Sequence, residues 1–267
     1  MPCLNANKLL QNELEKSPAS NKQFQGTMMI KHYPYNNLGS ANHGWLKSNH
    51  HFSFAHYYNP SRMGFGKLRV VNDDWVAPGT GFPSHSHRNM EIISFIRSGE
   101  ITHHDSTGNN GITKSGEVQV MTAGTGITHS EYNRTTEPLT FYQIWIEPNK
   151  QNLTPRWQSK KFPRQENTAL ALLVSGYEVD KDDALFINQQ ARIYGGKLVQ
   201  GSYFEHHITN QAYILASTGT FSIENIRESK TESIIMNQGD GCEITQLKSI
   251  WIKATKACEI IIIDPPN

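Results

Sequence analysis

From about residue 28 onward the chain runs in short stretches where apolar and polar positions alternate, separated by Gly, Asn and Pro. "FSFAHYY", "GKLRVVN", "EIISFIRSGEITHHD", "EVQVM", "GITHSEY" and "LTFYQIWIE" are rich in Ile, Val, Phe, Tyr and Thr, with turn chemistry in "RSGE" and "STGNNG". Alternation with period two predicts strands, and the Gly-bearing turns predict antiparallel hairpins. No long window carries a 3.6-residue apolar period, so the fold class is all-β. Residues 5–16 stand apart as a short, weakly amphipathic helix through Leu10 and Leu14, ended by Ser17-Pro18.

A second strand-rich block follows residues 148–167, "PNKQNLTPRWQSKKFPRQEN", whose Pro, Asn, Gln and basic residues read as a linker. "ISFIRSGEIT" at 93–102 resembles "YILASTGTFS" at 213–222, each a strand, a Gly turn and a second strand. The likeness predicts a duplicated β-barrel or sandwich unit. The division is then an extension over 1–27, a first domain over 28–155 and a second over 156–267.

At 267 residues the chain is long enough for two domains, each with a core. Twenty-five basic against 24 acidic residues give no electrostatic case for direct contact with nucleic acid or an anionic membrane. The longest apolar run, "IIII" at 260–263, is strand-sized, so no membrane span is expected. The first residues lack the apolar segment of a secretory signal. Cys3, Cys242 and Cys258 are odd in number and form no CxxC. Together these features point to a reducing, cytoplasmic setting.

The chemistry concentrates in two places. In "HSHRNME", 85–91, strand alternation puts His85 and His87 on one face with Cα atoms ~6.6 Å apart, a bite that can clasp one ion. In "GTGITHSEYN", His129 and Glu131 repeat that spacing. Two such strands side by side in a barrel would bring three imidazoles and a carboxylate together. That donor set suits Fe(II), Mn, Ni, Cu or Zn. Glu91 is the reserve carboxylate, since on a straight strand it lies ~13 Å from His87 and only a bend at Arg88-Asn89 would bring it back. His50, His51, His56, His103 and His104 read as structural or solvent-facing, with only one of the adjacent pair 103/104 able to face the site. Aligning the Gly turns of the two halves sets Ile252 and Ala254 opposite His129 and Glu131, and Glu205 and His207 opposite His85 and His87. No metal site is expected there.

"GTGFPSHSHRNMEIISFIRSGEITHHDSTGNNG" and "GEVQVMTAGTGITHSEYN", with "ANHGWLKSNHHFSFAHYYNPSRMGFGKLRVVNDD" upstream and "FYQIWIEP" downstream, resemble the pirin family. The resemblance is especially to the bacterial pirin-like proteins to which quercetin 2,3-dioxygenase activity is attributed. The second motif has Thr122 where cupins commonly carry proline, a form that pirins share. The resemblance implies two cupin (jelly-roll β-barrel) domains in tandem. It also implies a metal, usually taken as Fe(II), held in the first domain by the residues matching His85, His87, His129 and Glu131. By the same resemblance the substrates would be O2 and a flavonol such as quercetin, or a catechol-like compound, with Glu131 as general base. The alternative it implies is a redox-responsive regulatory protein that binds a protein partner without turnover.

Overall fold

The computed structural model describes residues 29–162, 167–227 and 230–267. The extension 1–27, with its expected helix, lies outside the described residues. Apart from 3-10 turns at Tyr35–Asn37 and Glu178–Asp180, every regular element described is a strand. No described helix is long and apolar enough to cross a membrane.

The strands form four sheets, two in each half. In the first half a seven-stranded sheet runs in the order Arg156–Lys161, Glu117–Thr122, Glu91–Ser98, Leu139–Ile146, Leu68–Val76, Leu46–His50, Gly39–Asn42. It packs on a four-stranded sheet of Gly81–His87, Ile127–Tyr132, Glu100–Asp105 and Asn110–Lys114 through Ile96, Phe141 and Ile101. The second half repeats the plan, with a seven-stranded sheet centred on Ala212–Thr218 and Cys258–Asp264. Its four-stranded sheet is Tyr203–His207, Ser249–Ala254, Thr220–Arg227 and Lys230–Asn237. The hairpin turns at Gly99 and Gly219 share a left-handed backbone, φ +76° and +72°, which is why each needs glycine.

The central strands of each seven-stranded sheet are buried on both faces, and period two sorts their side chains between them. Along Leu139–Ile146, Tyr142, Ile144 and Ile146 enter one large core with Tyr213, Leu215, Ile261 and Ile263 of the second half. Phe141 faces its own barrel instead. The "IIII" run splits the same way, Ile261 and Ile263 toward the first half, Ile260 and Ile262 into the second barrel. The two halves are therefore joined by a hydrocarbon layer.

Two strands cross the division expected from sequence. Ile30–Tyr33 adds to the second half's sheet against Gly241–Ile244. Arg156–Lys161, inside the expected linker, pairs with Glu117–Thr122 of the first. In both cases a segment short in apolar residues covers a sheet edge that would otherwise present unpaired backbone groups.

The barrels differ in what fills them. The second is packed with Ile214, Phe221, Ile223, Met236, Ile250, Ile252, Ile260 and Ile262. Strand pairing puts Ile252 opposite Ile223, the place Glu131 holds opposite His103, so Ile250 and Ile252 occupy the positions of His129 and Glu131. The expected pair was Ile252 and Ala254; the path from Gly239 is two residues shorter than that from Gly116, which moves the register while keeping the face. Across the sheet, His206 is buried while Glu205 and His207 face outward, a one-residue offset that exchanges the two faces.

The turn leading into Ile127–Tyr132 depends on Gly124. Its φ is +48°, and a Cβ there would lie 1.9 Å from the Leu153 carbonyl oxygen. Gly124→Ala is expected to cost about 1–3 kcal/mol of stability, measurable by denaturant unfolding.

Candidate metal centre

Strand Ile127–Tyr132 lies between Gly81–His87 and Glu100–Asp105, and this pairing assembles the site. His129 is opposite His85 on one side and Asp105 on the other, while Glu131 is opposite His103. His129 and Glu131 are buried and their neighbours Thr128, Ser130 and Tyr132 are not, as alternation requires. The ladder with Gly81–His87 is irregular: two residues from His129 to Glu131 match three from His85 to Phe82.

Three of the sequence-predicted residues converge. The ring centroids of His85 and His129 are 4.4 Å apart, those of His85 and His87 4.8 Å, and those of His87 and His129 5.0 Å. A ligand nitrogen from each lies within 4.8 Å of the other two. Burial, with His85 beside it, lowers the His87 pKa to about 4. Burial, then the neighbouring imidazoles, lowers His129 to about 2. Both rings are therefore neutral at pH 7, the form that offers a lone pair.

Two details fit a divalent transition metal. His85 Nδ1 is 2.8 Å from the Pro83 carbonyl oxygen, an acceptor only, so the proton sits there and Nε2 is left as a lone pair. His129 Nε2 is buried and has no hydrogen-bond partner. An orphan of that kind costs about 1–3 kcal/mol unless something meets it.

Glu131 does not join the three histidines in one cluster. It belongs to a second grouping within 4.8 Å, with His129 and His103. Gln119 donates to its Oε1 at 2.6 Å and Gln143 to its Oε2 at 3.1 Å, and the ladder irregularity beside Phe82 sets it apart from His85. Burial raises its pKa to about 7 against the opposing pull of those two amides. Glu91 is on the other face of its sheet. There it accepts from Thr122 at 2.8 Å and from Asn188 of the second half at 3.0 Å.

Sequence reasoning set His103 aside as structural or solvent-facing, yet it faces the site and is fully buried. Its ring stacks on Trp157, centroids 5.1 Å apart and planes 13° from parallel, and Gly111 leaves the room, since a Cβ there would meet the indole at 2.2 Å. Its neighbour His104 points outward. The pairing of Glu131 with His103, readable from the Gly99 hairpin, is the signal that could have chosen between them.

Beyond Gln143 lies a small cavity of about 70 Å³ between Phe54, Phe82, Ser48, His50, Asn72 and Asp74. His50 Nδ1 is 2.9 Å from Asn72 Oδ1. Asp74 is buried, its Oδ1 has no partner, and burial raises its pKa to about 7 despite the Ser48 hydroxyl. Between pH 4 and 7 the folded Asp74 keeps a proton that the unfolded chain has released. Its cost to the fold therefore grows as pH rises through that window and is complete above it. Metal-free Asp74→Asn should gain thermal stability relative to wild type from pH 4 to pH 8; a difference in Tm that does not change with pH would contradict this.

The Pirin family profile matches residues 32–146, and the profile described as the quercetinase C-terminal cupin domain matches 172–264. The chain is 38% identical over 234 residues to the protein named quercetin 2,3-dioxygenase of Escherichia coli K12, covering 86% of this chain and 96% of that protein. It is 42% identical over 239 residues to a pirin-like protein of Caulobacter vibrioides, covering 88% and 99%. The crystal structure of the bacterial pirin YhhW from Escherichia coli in complex with nickel(II) superposes with a TM-score of 0.81 at 37% identity, covering 89% of this chain and 99% of that one. With two cupin barrels, the imidazole cluster in the first and relatives matched over nearly their whole length, the chain belongs to the pirin family.

Proposed function

We propose that the chain is a metal-dependent dioxygenase that opens the heterocycle of a flavonol such as quercetin with O2. In this reading His85, His87, His129 and Glu131 hold the metal, Fe(II) being the first expectation and Mn, Ni, Cu or Zn its competitors. The observation that carries it is the convergence of three imidazoles around the buried, partnerless Nε2 of His129, beside a carboxyl with a pKa near 7. The activity in the name of the Escherichia coli relative, and the nickel(II) in the YhhW structure, support the same reading.

When bound, the metal supplies Lewis acidity toward oxygen ligands and the electronic access that dioxygen chemistry needs. The chain does the rest. Glu131 is suited by its place to take the proton of a flavonol hydroxyl, and each of its oxygens keeps a lone pair beyond the one its glutamine uses. Gln119 and Gln143 hold the carboxylate in place, so proton transfer needs no search over rotamers. Phe54 and Phe82 give the adjoining cavity aromatic walls, and Trp145 packs edge-on against His87 and Phe54. Asp74 and His50 in the same cavity offer hydrogen bonds to ring hydroxyls.

Protein purified anaerobically should carry one metal ion per chain and consume O2 with quercetin. His129→Ala is expected to lose most of the metal. Glu131→Gln should keep metal and lose about 10²–10⁴-fold in turnover. Metal-loaded protein that takes up no O2 with quercetin or a set of catechols would end the proposal, as would equal metal content in wild type and His129→Ala.

A further inference from the structure

Behind the metal position lies a chain of buried groups to which the reaction above assigns no task. Asp105 Oδ2 is 2.9 Å from His103 Nε2, and both side chains are completely buried. His103 Nδ1 is in turn 3.5 Å from His129 Nδ1, at the long end of a hydrogen bond. The far nitrogen of His129 is the partnerless Nε2. Asp105 is itself fixed from several sides. Its Oδ1 accepts from the Thr107 hydroxyl at 2.7 Å, the Thr107 N–H at 2.9 Å and the Asn109 N–H at 3.2 Å, and its Oδ2 accepts from the Asn109 amide at 3.0 Å.

These partners assign the protons one after another. An ionised carboxylate only accepts, so His103 carries its proton on Nε2 and presents a lone pair at Nδ1. The contact that lone pair makes is with His129 Nδ1, which then carries the proton. The His129 lone pair is then on Nε2, the nitrogen left without a partner. Trp157, stacked on His103, holds the middle ring in plane.

We propose that Asp105 and His103 form a relay that locks His129 in the metal-binding tautomer, making both of them positioning residues for the metal centre. The inference rests on the reading of His129 as a ligand. It also separates two roles open to His103, which lies within ligand distance of His129 and Glu131. In the relay, both of its nitrogens are already engaged.

Nitrogen-15 NMR of histidine-labelled, Zn(II)-loaded protein tests this without any substitution. The expected result is a proton on His129 Nδ1 and on His103 Nε2, with neither His103 nitrogen bound to zinc. A proton on His129 Nε2, or zinc on His103, overturns the relay. Zn(II) competition titrations supply the second arm. Asp105→Asn can turn an amide N–H toward His103 and reverse both tautomers, so it should weaken Zn(II) binding about 10–100-fold, with Asp105→Glu recovering part of the loss. His103→Gln should weaken it similarly, and the double variant Asp105→Asn/His103→Gln should be no weaker than the worse single change. A merely structural role would lower the Tm of the metal-free protein and leave the affinity of the folded fraction unchanged, and that result overturns the proposal. A wild-type chain that binds no Zn(II) would remove the metal centre itself and the relay with it.

Discussion

The molecule depends on sheets whose central strands have no wet face. The two seven-stranded sheets meet across one hydrocarbon layer, so their central strands have one face committed to that layer and the other to a barrel interior. A polar side chain on the barrel side has little water to fall back on, and it must find a partner within the barrel or cost about 1–3 kcal/mol. In the first barrel those partners form a network. Thr113 donates to Gln119, Gln119 donates to Ser94 and Glu131, and Gln143 donates to Glu131 while its oxygen accepts from Trp145. Satisfied in this way, the network holds Glu131 and leaves the His129 Nε2 as an open valence. The architecture thus presents a donor with nothing to bind except a ligand from outside.

The second barrel shows the alternative solution on the same skeleton. Where the first barrel has His129 and Glu131, Ile250 and Ile252 close-pack with Phe221, Ile223 and Met236, and no partners are needed. What it contributes is support. Arg62, from the loop before strand Leu68–Val76, lies over the rings of Tyr33, Phe52 and Tyr213 and pairs with Glu243 of the second half. Its guanidinium also donates to the His51 carbonyl at 2.8 Å. A buried, multiply bonded cation of this kind fixes how the two halves meet more than it adds to stability.

The period-two dyads were legible in the sequence because alternation is a local property: once His85, His87, His129 and Glu131 are on strands, their faces follow. The repeat was legible at Gly99 and Gly219 for the same reason, a backbone demand that one residue meets. What escaped is longer-ranged. The place of Glu131 depends on an irregular ladder at Phe82–His85 and on Gln119 and Gln143 from two other strands, none of which spacing along one segment can reveal. The inward turn of His103 required the register of its hairpin against Ile127–Tyr132. Arg156–Lys161 was read as linker because an edge strand can be polar, and its one large apolar contribution, Trp157, becomes meaningful only against His103. Glu91, the reserve carboxylate, turns to the other face of its sheet toward Thr122 and Asn188, which its distance along the strand does not reveal.

Three buried or half-buried carboxyls within this one barrel show how donors, rather than burial alone, assign roles. Burial works against ionisation at all three. At Asp105 the donors of Thr107, His103 and Asn109 outweigh it and hold the carboxyl well below the usual range, so it is a fixed charge at every working pH. At Glu131 two amides are not enough, and the pKa rises to about 7. Asp74, with one buried oxygen unpartnered, rises as far, and it lies in the wall of the cavity beyond Gln143. One carboxyl held ionised beside the histidines and two pushed toward neutrality thus share a single barrel. Each follows from how many N–H and O–H groups the surrounding strands turn toward it.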